Sequence, residues 1–230
     1  FERSDITALQ EELLIDLQRW WPSEQGTLAL PQEWLTTPRA QRAAACLKRL
    51  LTVDQQQQQG PWAIKDPRSS LLLPLWKQVA AELNLPLRLL LAFRDPAEVV
   101  TSLVNRDAAS TGMTLARAQA LWIRHQQHLL ADADALPLHV VSYSRWFDNP
   151  EAQIEALQRF CLLNTSDTAA IQRALACIRP EFRRSHSSNH PPALSRRVQR
   201  WHRRLEQAAA GSALPLQRWA CGQSQPASRA

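Results

Sequence analysis

The sequence predicts an α/β fold, a parallel sheet flanked by helices, and three observations carry that expectation. Leu89–Phe93 is an unbroken apolar run with the length of a strand covered on both faces, within a strand expected over Leu87–Phe93, and Pro137–Tyr143 reads as a further strand. Between them lie long stretches whose apolar residues recur at helical spacing. The grammar of apolar strand, basic residue, Asp-Pro and helix occurs twice, at Trp62–Leu83 and at Leu87–Arg106. Strands separated by helices need crossover connections, which make the sheet parallel.

In order, Ile6, Leu9, Leu13 and Leu17 predict a helix over Ser4–Arg19, ended by Trp20-Trp21-Pro22. Ser23–Thr37 lacks periodicity and reads as a loop with at most a short helical turn. Pro38 opens a second helix reaching Val53, where its missing N–H costs nothing. Gln55–Gln59, closed by Gly60, reads as a solvated linker. Trp62-Ala63-Ile64 is expected to form a short strand entering Lys65-Asp66-Pro67-Arg68, with a leucine-rich helix over Leu71–Leu83. After the turn Asn84–Pro86 comes the strand Leu87–Phe93, then Arg94, then Asp95 as N-cap and Pro96 at the first helical position. That helix runs through Arg106, and Asp107–Thr114 reads as a loop. A long helix over Leu115–Ala131 precedes the third strand, Pro137–Tyr143. Helices over Glu151–Leu162, Thr168–Cys177 and Leu194–Ala209 follow, with a basic segment Arg179–Arg197 between the last two. One domain over residues 1–210 and a frayed tail over 211–230 complete the expected layout.

The chain has 230 residues, 45% of them hydrophobic, enough for one sizeable core. No run approaches the roughly 18 apolar residues of a spanning helix, so the expectation is a cytoplasmic chain without a membrane partner. Cys46, Cys161, Cys177 and Cys221 are widely spaced without a CxxC pair, which favours buried reduced thiols over disulfides or a metal site, and no metal is assigned. His125 and His128, three apart on a helix, read as structural or exposed. The tryptophans, Trp76, Trp122 and Trp146 among them, read as packing, with Trp20, Trp21 and Trp34 as candidate walls of a substrate cleft. The net charge of +6 comes mainly from arginine, because Lys48, Lys65 and Lys77 are the only lysines. Arginine favours bidentate contacts with phosphate or sulfate. Nucleic acid ranks last among anionic partners, since no helix-turn-helix, zinc finger or exposed aromatic repeat is present.

Arg94 stands at the carboxyl end of a parallel strand beside a helix N-terminus, where open α/β sheets bind ligands and where a guanidinium suits an anion. Ser102, eight residues on, adds a hydroxyl that can rotate toward a phosphate lone pair. The competing reading is an ion pair of Arg94 with Asp95 or Glu98, with Ser102 merely packed in the helix.

IKDPR at 64–68, FRDPAEVVTSLVNR at 93–106, LW at 121–122 and VVSYSRWFDNP at 140–150 together resemble the bacterial branch of the 3′-phosphoadenosine-5′-phosphosulfate-dependent sulfotransferases. The resemblance spans about Phe1 to Leu205. It implies a fold related to P-loop nucleotide-binding proteins, and it implies that Arg94 and Ser102 hold the 3′-phosphate of the sulfate donor. It implies charge stabilisation by Lys65 and a general base in Glu2 or Asp66, with Glu2 ranked slightly higher because Asp66 is also placed to cap the Pro67 helix. Arg68 is carried over as a contact to sulfate or substrate, or else as a partner of Asp66. Arg183, Arg184 and His186 resemble the family's carboxyl-terminal basic region, which can approach the nucleotide or acceptor; the other reading, favoured for any one of them, is a solvated basic loop. The departure is the loop that grips the 5′-phosphosulfate. None of Gly26, Gly60, Gly112, Gly211 and Gly222 has a phosphate-cradling context. The expectation is therefore a sulfotransferase truncated before Phe1, with a gap or exposed apolar surface between its surviving strands and weak or no activity alone. A non-catalytic nucleotide- or phosphate-binding module is the alternative. The acceptor is left open.

Overall fold

A computed structural model describes residues 2–58, 60–163, 167–179, 181 and 192–211. The chain is α/β and mostly helical, with a two-stranded parallel sheet. Helix α1 (Ser4–Asp16) packs on α2 (Pro38–Gln57), which packs on α3 (Leu73–Glu82). Strand β1 (Leu89–Phe93) follows, then the crossover helices α4 (Pro96–Thr111) and α5 (Leu115–Asp132), then β2 (Leu138–Ser142). A single turn, α6 (Arg145–Asp148), leads to α7 (Pro150–Cys161), α8 (Thr168–Ala176) and α9 (Arg196–Ala209). The strands pair in register from Leu89 opposite Leu138 to Phe93 opposite Ser142.

Among the described residues, three apolar clusters hold these elements together. The largest joins Ile6, Leu9, Leu13 and Leu14 of α1 to Leu47 and Leu51 of α2 and Leu75, Trp76 and Val79 of α3. A second lies on the sheet, where Leu91, Phe93 and Val140 meet Trp122 and Ile123 of α5 and Val198, Trp201 and Leu205 of α9. The third joins Val100 of α4 to Ala118 and Leu121 of α5.

The structure corrects the expected elements in several places. Trp62–Ile64 joins no ladder: residues 61–66 are non-helical and unpaired, and a strand needs a neighbour to satisfy its backbone. Ile64 instead packs as a side chain against the first core, and a 3-10 turn over Pro67–Ser70 precedes α3. Between β1 and β2 no gap opens, since the two are hydrogen-bonded neighbours; the large apolar residue exposed on these strands is Leu90, at 42%. The loop expected from Asp107 is helical to Thr111. Gly112 ends α4 in the left-handed region at φ 64°, its N–H bonding back to the Ala108 carbonyl. Helix α1 ends at Asp16, three residues early. Cys177 is exposed, and Cys46 and Cys161 are partly buried, all three as free thiols. Trp34 is buried in the first core, which removes it from any cleft wall.

Candidate functional site

The carboxyl end of the sheet is built by the strand register. Arg94 follows directly on β1, and Asp95 caps α4 by accepting the Ala97 N–H at 2.8 Å. Tyr143 follows directly on β2, and its N–H bonds to the Phe93 carbonyl at 2.9 Å. That last rung sets the Arg94 guanidinium 4.5 Å above the Tyr143 ring, a cation–π contact. Arg94 Nε also donates to the Glu98 carboxylate one turn into α4. Ser102, a further turn along the same helix face, is exposed. The ion pair foreseen as the competing reading of Arg94 is therefore made, and the Glu98 carboxylate occupies the guanidinium edge an external anion would take.

A cavity of about 100 Å³ is lined by Arg94, Glu98, Tyr143, Ser144, His202 and Glu206. It shares Ser144 and Glu206 with a wider cleft of about 480 Å³ toward Arg145, Asp148, Asn149 and Gln153. The wall common to both is α9, which the sequence reading did not connect with the sheet edge. Ser142, at the end of β2, donates to Glu206 Oε1 at 2.9 Å. Arg145 Nη2 and His202 Nε2 stand 3.6 and 3.7 Å from the same carboxylate. His202 meets Phe93 and Trp122 edge to face. The available signal was that His202 and Glu206 sit four apart on a flank of α9, between its buried stripe of Val198, Trp201 and Leu205 and its arginines.

A second polar cluster forms where residues 65–70 cross α1. Lys65 Nζ bonds Glu2 Oε1 at 2.5 Å, and Arg68 Nη1 lies 3.7 Å from the other Glu2 oxygen. Arg68 also pairs with Glu11 through Nε and with Asp66 at 3.0 Å. Burial works against the Arg68 charge, but bonds from Glu11 and Asp66 outweigh it and raise its pKa. The Asp66 side chain is 1% exposed, accepts the Arg68 N–H at 2.8 Å and takes the Thr7 hydroxyl at 2.9 Å. Its oxygens are thus committed to capping and bridging, which argues against a general-base role. Beside this cluster His125 Nδ1 lies 2.7 Å from Ser70 Oγ and 3.1 Å from the Pro67 carbonyl. Burial pushes His125 down to about 4, and burial with the neighbouring Arg124 does the same to His128.

Glu2, Lys65, Asp66 and Arg68 thus fall in one network, and Arg94 with Glu98 and Tyr143 in another. No hydrogen bond or ion pair joins the two among the described residues. Arg183, Arg184 and His186 lie outside the described residues. Comparison with known proteins finds no matching family model, no matching curated protein and no matching solved structure. Ser102 is not among the residues lining the 100 Å³ cavity. A guanidinium beside a helix N-terminus at a strand end can hold a doubly charged phosphate once Glu98 gives way, because a phosphate offers the fork-like acceptor a carboxylate offers, with an additional oxygen.

Proposed function

We propose that the chain binds 3′-phosphoadenosine-5′-phosphosulfate as sulfuryl donor and acts as a sulfotransferase toward a hydroxyl or amine acceptor. The observation that carries this is the placement of Arg94 at the carboxyl end of β1, immediately before the α4 N-terminus and with Ser102 two turns along. Arg94 and Ser102 would take the 3′-phosphate, Arg94 exchanging Glu98 for the ligand. In the transfer, the acceptor oxygen or nitrogen loses its proton to a carboxylate and bonds to sulfur as the sulfur–oxygen bond to the 5′-phosphate breaks. Adenosine 3′,5′-bisphosphate leaves. Glu2 is the better base, being a third exposed at 34% where Asp66 is enclosed, and Lys65 beside it is the cation for the transferring group.

A binding-only module is the second reading. It is favoured by the engagement of Glu2 with both Lys65 and Arg68, which leaves neither carboxylate uncommitted. Calorimetric titration with adenosine 3′,5′-bisphosphate tests both. Binding is expected, weakened about 10- to 100-fold in Arg94→Ala, since a charge-assisted bond is worth about 1.5–3 kcal/mol, and less in Ser102→Ala. An absence of binding, or an unaffected Arg94→Ala variant, sinks both readings. Release of the bisphosphate from the donor on adding a phenolic or amine acceptor separates enzyme from module.

A further inference from the structure

The outward face of α9 carries four arginines, Arg196, Arg197, Arg200 and Arg203, all exposed and none with an ion-pair partner among the described residues. At 3.6 residues per turn they fall within roughly 120° of arc, along about 10 Å of axis. Val198, Trp201 and Leu205 occupy the opposite side and are fully buried. Elsewhere exposed Arg39, Arg159 and Arg173 pair with Asp16, Glu155 and Asp167, and Arg42, Arg49 and Arg88, which have no ion pair among the described residues, are not gathered four to one helix face. Four unmatched guanidiniums on one rigid face form a concentrated positive surface, and like charges one turn apart on a helix cost stability unless a counter-charge arrives.

We infer that this face of α9 docks the phosphate backbone of a duplex nucleic acid without reading its sequence. The surface does not depend on the sulfotransferase reading, because His202 and Glu206, which face the cavities, lie on another flank of the helix. Three features select the partner. Guanidinium forms bidentate bonds to phosphate, and a duplex carries one phosphate charge per roughly 1.7 Å of its axis over its two strands, a density that suits four guanidiniums along about 10 Å of helix. Trp201 is 0% exposed, so this face offers no aromatic platform on which the bases of a single strand would stack. The apolar side of α9 is consumed by the core, so the helix cannot sink into a lipid surface as an interfacial helix does.

Fluorescence anisotropy of a labelled 20-base-pair duplex, measured over a range of salt, is the test. Four neutralised phosphates predict a log–log salt slope of about −3.6, hence about a 150-fold loss of affinity between 50 and 200 mM salt. Arg200→Gln/Arg203→Gln is expected to lower affinity at least tenfold and to halve the slope. Arg196→Gln/Arg197→Gln, an independent pair, is expected to do the same. The charge-matched Arg42→Gln/Arg49→Gln, altered at exposed positions on α2, should stay within about twofold of the parent. Circular dichroism confirms the fold of each variant. Equal losses in all three doubles would reduce the effect to net charge and overturn the proposal. So would absence of binding, or tighter binding at equal salt to polyglutamate, to single-stranded DNA or to vesicles rich in anionic lipid.

Discussion

Asp66 shows how one side chain decides between structure and chemistry. Its carboxylate is closed from solvent and accepts from Thr7, from the Arg68 backbone and from the Arg68 guanidinium. Asp66→Ala would leave the Thr7 hydroxyl without this acceptor and shift the Arg68 charge onto Glu2 and Glu11. A loss of about 2–4 kcal/mol is expected, seen as a lower urea midpoint with unchanged slope, while Asp66→Asn, which keeps a capping oxygen, should lose less. A variant as stable as the parent would show that the network contributes nothing. The capping role was legible in the sequence, because Asp before Pro is a strong helix-start signal. Thr7, 59 residues away, was not, since no local pattern encodes a contact made by packing α1 against the 67–70 turn. Arg94 divides the same way: its strand-end position was readable, and the Tyr143 ring beneath it depended on the register of a distant strand.

Among the elements, the long periodic helices were legible because their apolar spacing is also their packing. Helix α2 begins at Pro38 with Thr37 accepting the Ala40 N–H, and α5 presents Leu121 and Trp122 to two different cores. The failures occur where the local signal is ambiguous. Asp107–Thr111 lacks an apolar stripe, yet stays helical because Gly112 supplies the left-handed closing residue and Asp107 pairs with Arg106. Trp62–Ile64 has strand composition, but composition cannot supply a neighbouring strand, and no described segment pairs with it. The contribution of α9 to the sheet edge was hidden for a related reason. Its amphipathic pattern shows that one side is buried but not what it is buried against.

At the scale of the molecule, the partly buried histidines of α5 make stability depend on pH. His125 and His128 titrate near 4 in the folded chain, against about 6.5 when unfolded, because burial penalises the imidazolium. Between those limits the unfolded chain binds more protons, so stability is full above about pH 6.5 and falls as pH drops toward 4. Thermal unfolding at pH 7 and pH 4.5 should show the midpoint falling on acidification, and His125→Gln/His128→Gln should flatten that part of the curve. An equal fall in the variant would place the acid sensitivity elsewhere. The two-stranded ribbon carries a further consequence, for amide hydrogen exchange. The rungs Leu89 N–H to Pro137 and Tyr143 N–H to Phe93 fix the alternation of the parallel ladder, so the Leu91 and Phe93 amides point toward β2 while those of Leu90 and Ala92 point away from it. Protection along β1 should therefore alternate residue by residue, and the slowest amides of the molecule should lie in α5 and α9, above the ribbon, rather than in the ribbon itself.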